Sequence, residues 1–425
     1  MVTPPQREPI FSYYGDDFTG STDALEALAA NGVPAVLFLR PPDAEDLRAF
    51  RGCRAIGIAG DSRSRSPAWM RSALPPVFAC LREIGAPIMQ YKVCSTFDSS
   101  PETGSIGCAL EIGQEVFGVP SVPVVPAAPF LQRYVVFGHL FAGSQGAIHR
   151  IDRHPAMKQH PVTPMSESDL LLHLSRQTAR KLALVNILAL RTNSFAFAAN
   201  ADGILFDGLE PADLTQAGRW IWEHRHTPQT FVVGSSGFTY GLLDYWRAQG
   251  WLPEPGPCPS APLADRLLVL AGSCSPTTER QIWRALRDGF RGIRLNPLMV
   301  GDAGYDESVE LEALQQLAGG RNVILYSALG PKDQVALADP PALAAAMGRM
   351  LRRLIESSGV RRVLVAGGDT ASYAVPELGI SALTFAAPLA PGAPLCRAHG
   401  GPPGLELVLK GGQVGSERFF GEVLS

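Results

Sequence analysis

Short apolar runs that break into Gly, Ser, Thr and Asp alternate along the chain with Ala/Leu-rich segments of helical period. FSYYG at 11–15 reads as a strand, DDFTGS as a turn, and TDALEALAANG as a helix closed by Gly32. PAVLFLR at 34–40 follows as a strand, and the three pieces read together as one βαβ unit. RAIGIAG, APIMQYKV, SVPVVPAA, KLALVNILAL and GILFDG are further strand candidates, and a helix is expected around ALEIGQEVFG. Beyond residue 265, RLLVLAGSCSP and VRRVLVAGGDT are apolar strands that run into small-residue loops, and LELVLKGGQVG adds another strand. Strands alternating with helices predict an α/β fold of two domains, each with a largely parallel sheet flanked by helices. The stretch WLPEPGPCPSAPLADR interrupts the alternation, because its prolines disfavour helix and resist central-strand pairing. The expected organisation is therefore an N-terminal domain over 1–252, a Pro-rich linker over 253–265, and a C-terminal domain over 266–425.

Composition narrows the partners. Hydrophobic residues make up 46% and charged residues 18%, the profile of a chain that folds around packed cores. A formal net charge of −3 offers no global cationic surface for nucleic acid, although a local pocket for a small anion is compatible with it. The seven cysteines contain no C-x-x-C pair, so they read as thiols of a reducing cytoplasm, with neither a disulfide framework nor a metal site. The start MVTPPQREPI lacks the apolar core of a signal peptide, and no run approaches the ~18 residues of a membrane span. His139, His149, His154 and His160 cluster in sequence but form no metal-binding pattern and read as loop or core histidines.

The loops after the strands carry the candidate chemistry, because open α/β sheets gather ligands at the carboxyl ends of their strands. GDDFTG places Asp16 and Asp17 there, where a carboxylate can hold a sugar hydroxyl or act as general base; the competing reading is a helix cap. In DSRSRSP, Arg63 supplies a guanidinium fork suited to a carboxylate. KVCSTFDSS brings Lys92, Ser95, Thr96, Asp98 and Ser99 into one dense polar loop, which suits an anion or polyol and otherwise reads as a Ser/Thr-rich turn. In the second half, Ser273 and Ser275 follow one strand, Gly367, Gly368, Asp369 and Thr370 follow another, and Gly411 and Gly412 a third. Glycines let backbone approach phosphate closely, so these junctions point to a phosphate-binding domain. No P-loop, protein-kinase signature or G-x-S-x-G motif is present. A dinucleotide oxidoreductase is disfavoured by the lack of G-x-G-x-x-G after the first strand.

Taken in order, GDDFTGSTDALEAL, KVCSTFDSS with SIG, GSCSPTTERQ, AGGDT and LKGGQVGSERFF resemble the four-carbon acid sugar kinases across essentially the whole chain. The resemblance implies an acid-sugar domain, an ATP domain and catalysis in a cleft between them, with Mg2+ as the accompanying ion and a homodimer as one assembly. It implies substrate contacts at Asp16, Asp17, Arg63, Lys92, Ser95, Thr96, Asp98 and Ser99; of the two aspartates, Asp17 ahead of Asp16 is expected to orient or deprotonate the attacking hydroxyl. Nucleotide contacts are implied at Ser273, Ser275, Gly367, Gly368, Asp369, Thr370, Gly411 and Gly412. CSTFDSS and HPVTPM resemble the 3-oxo-tetronate kinase branch, which acts on a terminal hydroxyl. Ser105 and KGGQVG depart from that branch's usual GNIG and KSGNFG, so a branched 3-oxo acid such as 3-oxo-isoapionate is the alternative substrate, with threonate or erythronate behind it. A non-catalytic sugar-acid sensor is the reading from another class.

Overall fold

The computed structural model describes residues 4, 8–144, 146–159, 162–194, 200–333, 335 and 337–424; part of the N-terminal stretch read for a signal, and His160, lie outside them. The chain divides into two compact units. The first comprises Met1–Asp16, Ala27–Ala35 and Pro41–Gly256, and the second Asp17–Glu26, Val36–Arg40 and Pro257–Ser425.

In the first unit, the strands run in the order Ala55–Ala59, Phe11–Gly15, Ile88–Lys92, Thr230–Gly234, Val122–Val125, Gly203–Phe206 and Leu182–Val185. Every neighbouring pair is parallel. Parallel sheets are covered on both faces, and the fully buried strands Phe11–Gly15, Ala55–Ala59 and Ile88–Lys92 are accordingly apolar with little alternation. The helix Pro67–Ile84 starts on the Ser66 cap with proline in its first turn and stops at Gly85 in the left-handed region. Its Phe78 packs on Tyr14, Tyr91 and Phe231 with ring centroids 5.5–6.0 Å apart. A separate antiparallel sheet of three strands, Arg133–Val136, His139–Ser144 and Ala147–Arg150, was not legible in the pattern.

In the second unit, Arg291–Arg294, Val323–Tyr326, Leu267–Ala271, Arg362–Ala366 and Glu406–Lys410 form the parallel part of the sheet. Ala393–Gly400 and Ile380–Ala390 extend it as an antiparallel hairpin. Leu267, Val269, Ile282, Leu364, Val408, Phe419 and Phe420 form its buried core.

The structure corrects two local readings. The strand after the first helix does not close a βαβ unit on Phe11–Gly15, which pairs instead with Ala55–Ala59 and Ile88–Lys92. Val36, Leu37 and Phe38 pair antiparallel with Thr384, Leu383 and Ala382 in the second unit. The run AVLF is apolar on both faces, so nothing in it names a partner sheet. The apolar run from Lys181 likewise splits: Leu182–Val185 is a strand, and Asn186 caps the helix Ile187–Thr192 through a bond from Ala189 N. An Asx cap outweighs an apolar run there because it satisfies an otherwise orphaned amide. The Pro-rich stretch is exposed and without regular structure from Pro253 to Ala264, apart from partly covered Ala261 and Ala264.

Candidate active site

The parallel order brings the strand ends of each unit to one edge. In the first unit, the Asp16 amide donates to Lys92 O at 3.0 Å, and the Arg63 amide donates to Asp16 O at 3.0 Å. Three loops are thus stitched by backbone alone. Asp16, Lys92, Ser95, Thr96, Asp98 and Ser99 are all buried, a density of polar groups that a core needs only if they are bonded.

Asp98 is the hub of this cluster. Arg63 Nη2 donates to Asp98 Oδ1 and Oδ2 at 2.7 Å each, and Nε to Oδ2 at 3.2 Å. Thr163 Oγ1 donates to Oδ2 at 3.0 Å, and Thr96 Oγ1 donates to Oδ1. The Arg63 fork, read from sequence as a carboxylate receptor, is therefore held on a carboxylate of the protein. Phe97, between these groups, sits at φ 55°, in a region a bulky residue enters only under constraint. Ser99 Oγ lies 2.8 Å from His173 Nε2 and accepts from Gln177 Nε2 at 2.9 Å. Burial pushes the His173 imidazole down to about 4, so it stays neutral at physiological pH. His173 and Gln177 lie on or just after the helix Leu170–Ser175, and nothing local in the sequence marked them.

The second unit builds a glycine-lined cradle. The Gly272 amide donates to Ala366 O and the Gly367 amide to Lys410 O, which joins the three strand ends. A Cβ on Gly272 would stand 2.2 Å from Thr370 Oγ1, and one on Gly412 would stand 2.7 Å from Ser273 Oγ. Neither position tolerates a side chain without displacing a hydroxyl. Ser275 caps the helix Pro276–Arg287 by accepting from Thr277 N, and its Oγ donates to Gly412 O at 2.7 Å. Thr278 Oγ1 donates to the same carbonyl at 3.0 Å. Gly411 opens the turn, accepting from Val414 N. Gly368 begins the helix Gly368–Ala374, in whose first turn Asp369 is exposed and Thr370 buried.

Two residues of this cradle stand out beyond the glycines. Lys410 is fully buried, and its Nζ donates to Thr278 Oγ1 at 3.0 Å; burial pushes its ammonium down to about 7. Its sequence signal is its place at a strand end immediately before Gly411. The other is Asp17, which groups with this unit while Asp16 groups with the first. Asp17 Oδ2 accepts from Thr19 Oγ1 at 2.7 Å, and Oδ1 accepts from Gly20 N at 2.7 Å. A Cβ on Gly368 would lie 3.1 Å from Asp17 Oδ2, so this carboxylate reaches the glycine loop itself.

The arrangement suits phosphate: open backbone, hydroxyl donors, a lysine and a helix N-terminus converge on one small volume. The domain families agree with this division. Residues 11–242 match the sugar-binding N-terminal domain family, and residues 268–420 match the nucleotide-binding C-terminal domain family. The chain belongs to the four-carbon acid sugar kinase family. It is 47% identical to the 3-oxo-isoapionate kinase of Paraburkholderia graminis, over 97% of this chain and 94% of that protein. It is 30% identical to the 3-oxo-tetronate kinase of Cupriavidus necator, over 98% and 97% of the two chains. Among solved structures, a Salmonella typhimurium LT2 protein matches with a TM-score of 0.77 at 24% identity, over 97% of this chain and 98% of its own, a likeness that speaks to the fold alone.

This member of the acid sugar kinase family is thus an ATP-using phosphotransferase. No group of three or more His, Cys, Asp and Glu side chains suited to a metal ion occurs among the described residues. No helix among them is long and apolar enough to cross a membrane. All seven cysteines are free thiols.

Proposed function

We propose that this kinase phosphorylates a branched 3-oxo acid, 3-oxo-isoapionate, on a terminal primary hydroxyl, with Mg-ATP as donor and in the cytoplasm. The observation that carries the substrate is the 47% identity to a 3-oxo-isoapionate kinase over nearly the whole chain, against 30% for a 3-oxo-tetronate kinase. The departure at Ser105 accords with it. Ser105 caps the helix Ile106–Phe117 by accepting from Cys108 N, at the end of the polar loop that carries Asp98.

In this reading Asp16, Lys92, Ser95, Thr96 and Ser99 contact the acid sugar, while Asp98 fixes Arg63 at the edge of the same loop. Ser273, Ser275, Gly367, Gly368, Thr370, Gly411 and Gly412 take the nucleotide phosphates, the glycines letting the Ser273 and Thr370 hydroxyls pack against the backbone. Mg2+ would arrive on those phosphates and neutralise their charge, a role that needs few protein ligands; Asp369, an exposed carboxylate, would hold one of its waters. Asp17 orients the attacking hydroxyl and accepts its proton as the new O–P bond forms and ADP leaves. Positioning and charge stabilisation account for most of the catalysis in such transfers.

The test is ADP release with Mg-ATP across 3-oxo-isoapionate, 3-oxo-tetronate, threonate and erythronate. The expected result is the highest kcat/KM on 3-oxo-isoapionate. A higher value on 3-oxo-tetronate would transfer the assignment to that acid, and silence across the panel with ATP still bound would favour a sensor.

A further inference from the structure

Arg133 opens the strand Arg133–Val136 in the small antiparallel sheet of the first unit. Its Nη1 is clamped by three carbonyl oxygens, Leu131 at 2.8 Å, Gln132 at 3.1 Å and Gly143 at 3.4 Å. His154 supports that clamp. Its Nδ1 accepts from the amides of Ala156 and Met157, which leaves the proton on Nε2, 3.5 Å from Gly143 O. The guanidinium is therefore locked in orientation through one nitrogen.

The other edge of the fork is not used in the same way. Nε of Arg133 is buried and has no acceptor among the described residues. Among those residues no carboxylate lies within ion-pair distance of this guanidinium. The groups within electrostatic reach include the Cys94 thiol and the Asp98 carboxylate, both on the polar loop assigned above to the acid sugar, besides Tyr134 and His154. Asp98, however, is already chelated by Arg63 and bonded by Thr96 and Thr163. Arg63 therefore takes up the Asp98 carboxylate, and Arg133 feels it only at longer range. A buried donor without an acceptor is unfavourable, and on Arg133 it sits on a guanidinium whose electrostatic partners include the polar loop. Burial pushes the guanidinium pKa down, with Cys94, Asp98 and Tyr134 opposing that effect.

We propose that Arg133 is a specificity residue of this kinase, taking the carboxylate of the acid sugar on its Nε–Nη2 edge. A planar fork clamped through Nη1, with Nε buried and lacking an acceptor, matches the two oxygens of a carboxylate, and a lysine cannot reproduce it. The carboxylate role read from sequence for Arg63 passes to Arg133, and Arg63 becomes the residue that holds Asp98. The inference rests on the acid-sugar reading above.

The experiment uses the full-length enzyme and the acid that the substrate panel identifies. Arg133→Gln and Arg133→Lys are compared with the wild type for KM of the acid, KM of ATP, kcat and Tm. The expected result is a rise of about tenfold to hundredfold in the acid's KM for both variants, with the ATP KM unchanged. Methylguanidinium added to Arg133→Ala should restore part of the loss. The amide of the same acid adds a readout that mere structural damage would not move: the wild type discriminates against it, and Arg133→Gln loses that discrimination. An unchanged KM for the acid, or undiminished preference for acid over amide, overturns the proposal while leaving the kinase assignment intact. Failure of the wild type on every acid would instead remove the reading on which the proposal stands.

Discussion

Asp17 and Gly368 are separated by most of the chain, yet a Cβ on Gly368 would lie 3.1 Å from Asp17 Oδ2. The carboxylate that the sequence placed beside a sugar is thus packed against the glycine loop of the nucleotide-binding unit. Thr19 and Gly20 fix its two oxygens, so its position does not depend on a ligand. A carboxylate held in place beside residues 367–370 suits the general-base role proposed for Asp17.

Two substitutions test that relationship. Asp17→Asn should lower kcat by about 10²–10⁴ with little change in the KM for ATP. Gly368→Ala should act in the same direction but more weakly, because the added methyl must displace Asp17 by a few tenths of an ångström. Steady-state kinetics on both variants decide it, and wild-type kcat in Asp17→Asn would remove Asp17 from the mechanism.

Gly412 offers a test of the proposed nucleotide cradle apart from the chemistry. A Cβ there meets Ser273 Oγ at 2.7 Å and Ser275 Cβ at 3.0 Å, so Gly412→Ala should open the cradle. The expectation is a KM for ATP raised about tenfold or more with the KM for the acid sugar unchanged, measured by varying each substrate in turn. Equal effects on both substrates would mean that the cradle does not serve the nucleotide alone.

The Arg63–Asp98 pair is positional and structural together. The Asp98 side chain is fully buried and that of Arg63 is 20% exposed. Removing one charge from such a pair leaves the other uncompensated, at a cost of about 3 kcal/mol. Asp98→Asn should therefore lower Tm by several degrees and raise the acid-sugar KM, while Arg63→Ala with Asp98→Asn should be less destabilising than the sum of the single changes. A strictly additive double-mutant cycle would show that the pair carries no coupling.

Lys410 should leave a mark on the pH dependence of stability. Burial pushes its ammonium to about 7 in the fold, whereas an unfolded lysine holds its proton to about 10.4. Between those values the unfolded chain binds more protons, so folding becomes more favourable as pH rises from about 7 towards 10. Denaturant unfolding of wild type and Lys410→Met across that range should show the slope reduced in the variant. An unaltered slope would place the titration on another group.

The polar loops of the site were legible because they interrupt apolar runs at strand ends, and their order along the chain carried the family resemblance. Arg63, Lys92, Asp98, Ser273 and the 367–370 loop could be picked out before any contact was known. Lys410 and Arg133 could not be assigned a role, since one is defined by complete burial and the other by a donor without an acceptor. Neither property is local.

Element type was fixed by period, capping and turn chemistry, which act over a few residues, and most elements fell where those signals put them. Pairing was decided only in three dimensions. The AVLF strand joins residues 382–384 in place of its sequence neighbours, and Asp17 joins the glycine loop. Strand edges offer the same hydrogen bonds to any partner, and an apolar strand buried on both faces carries no register of its own. Which edge it meets is settled by the packing of the whole chain.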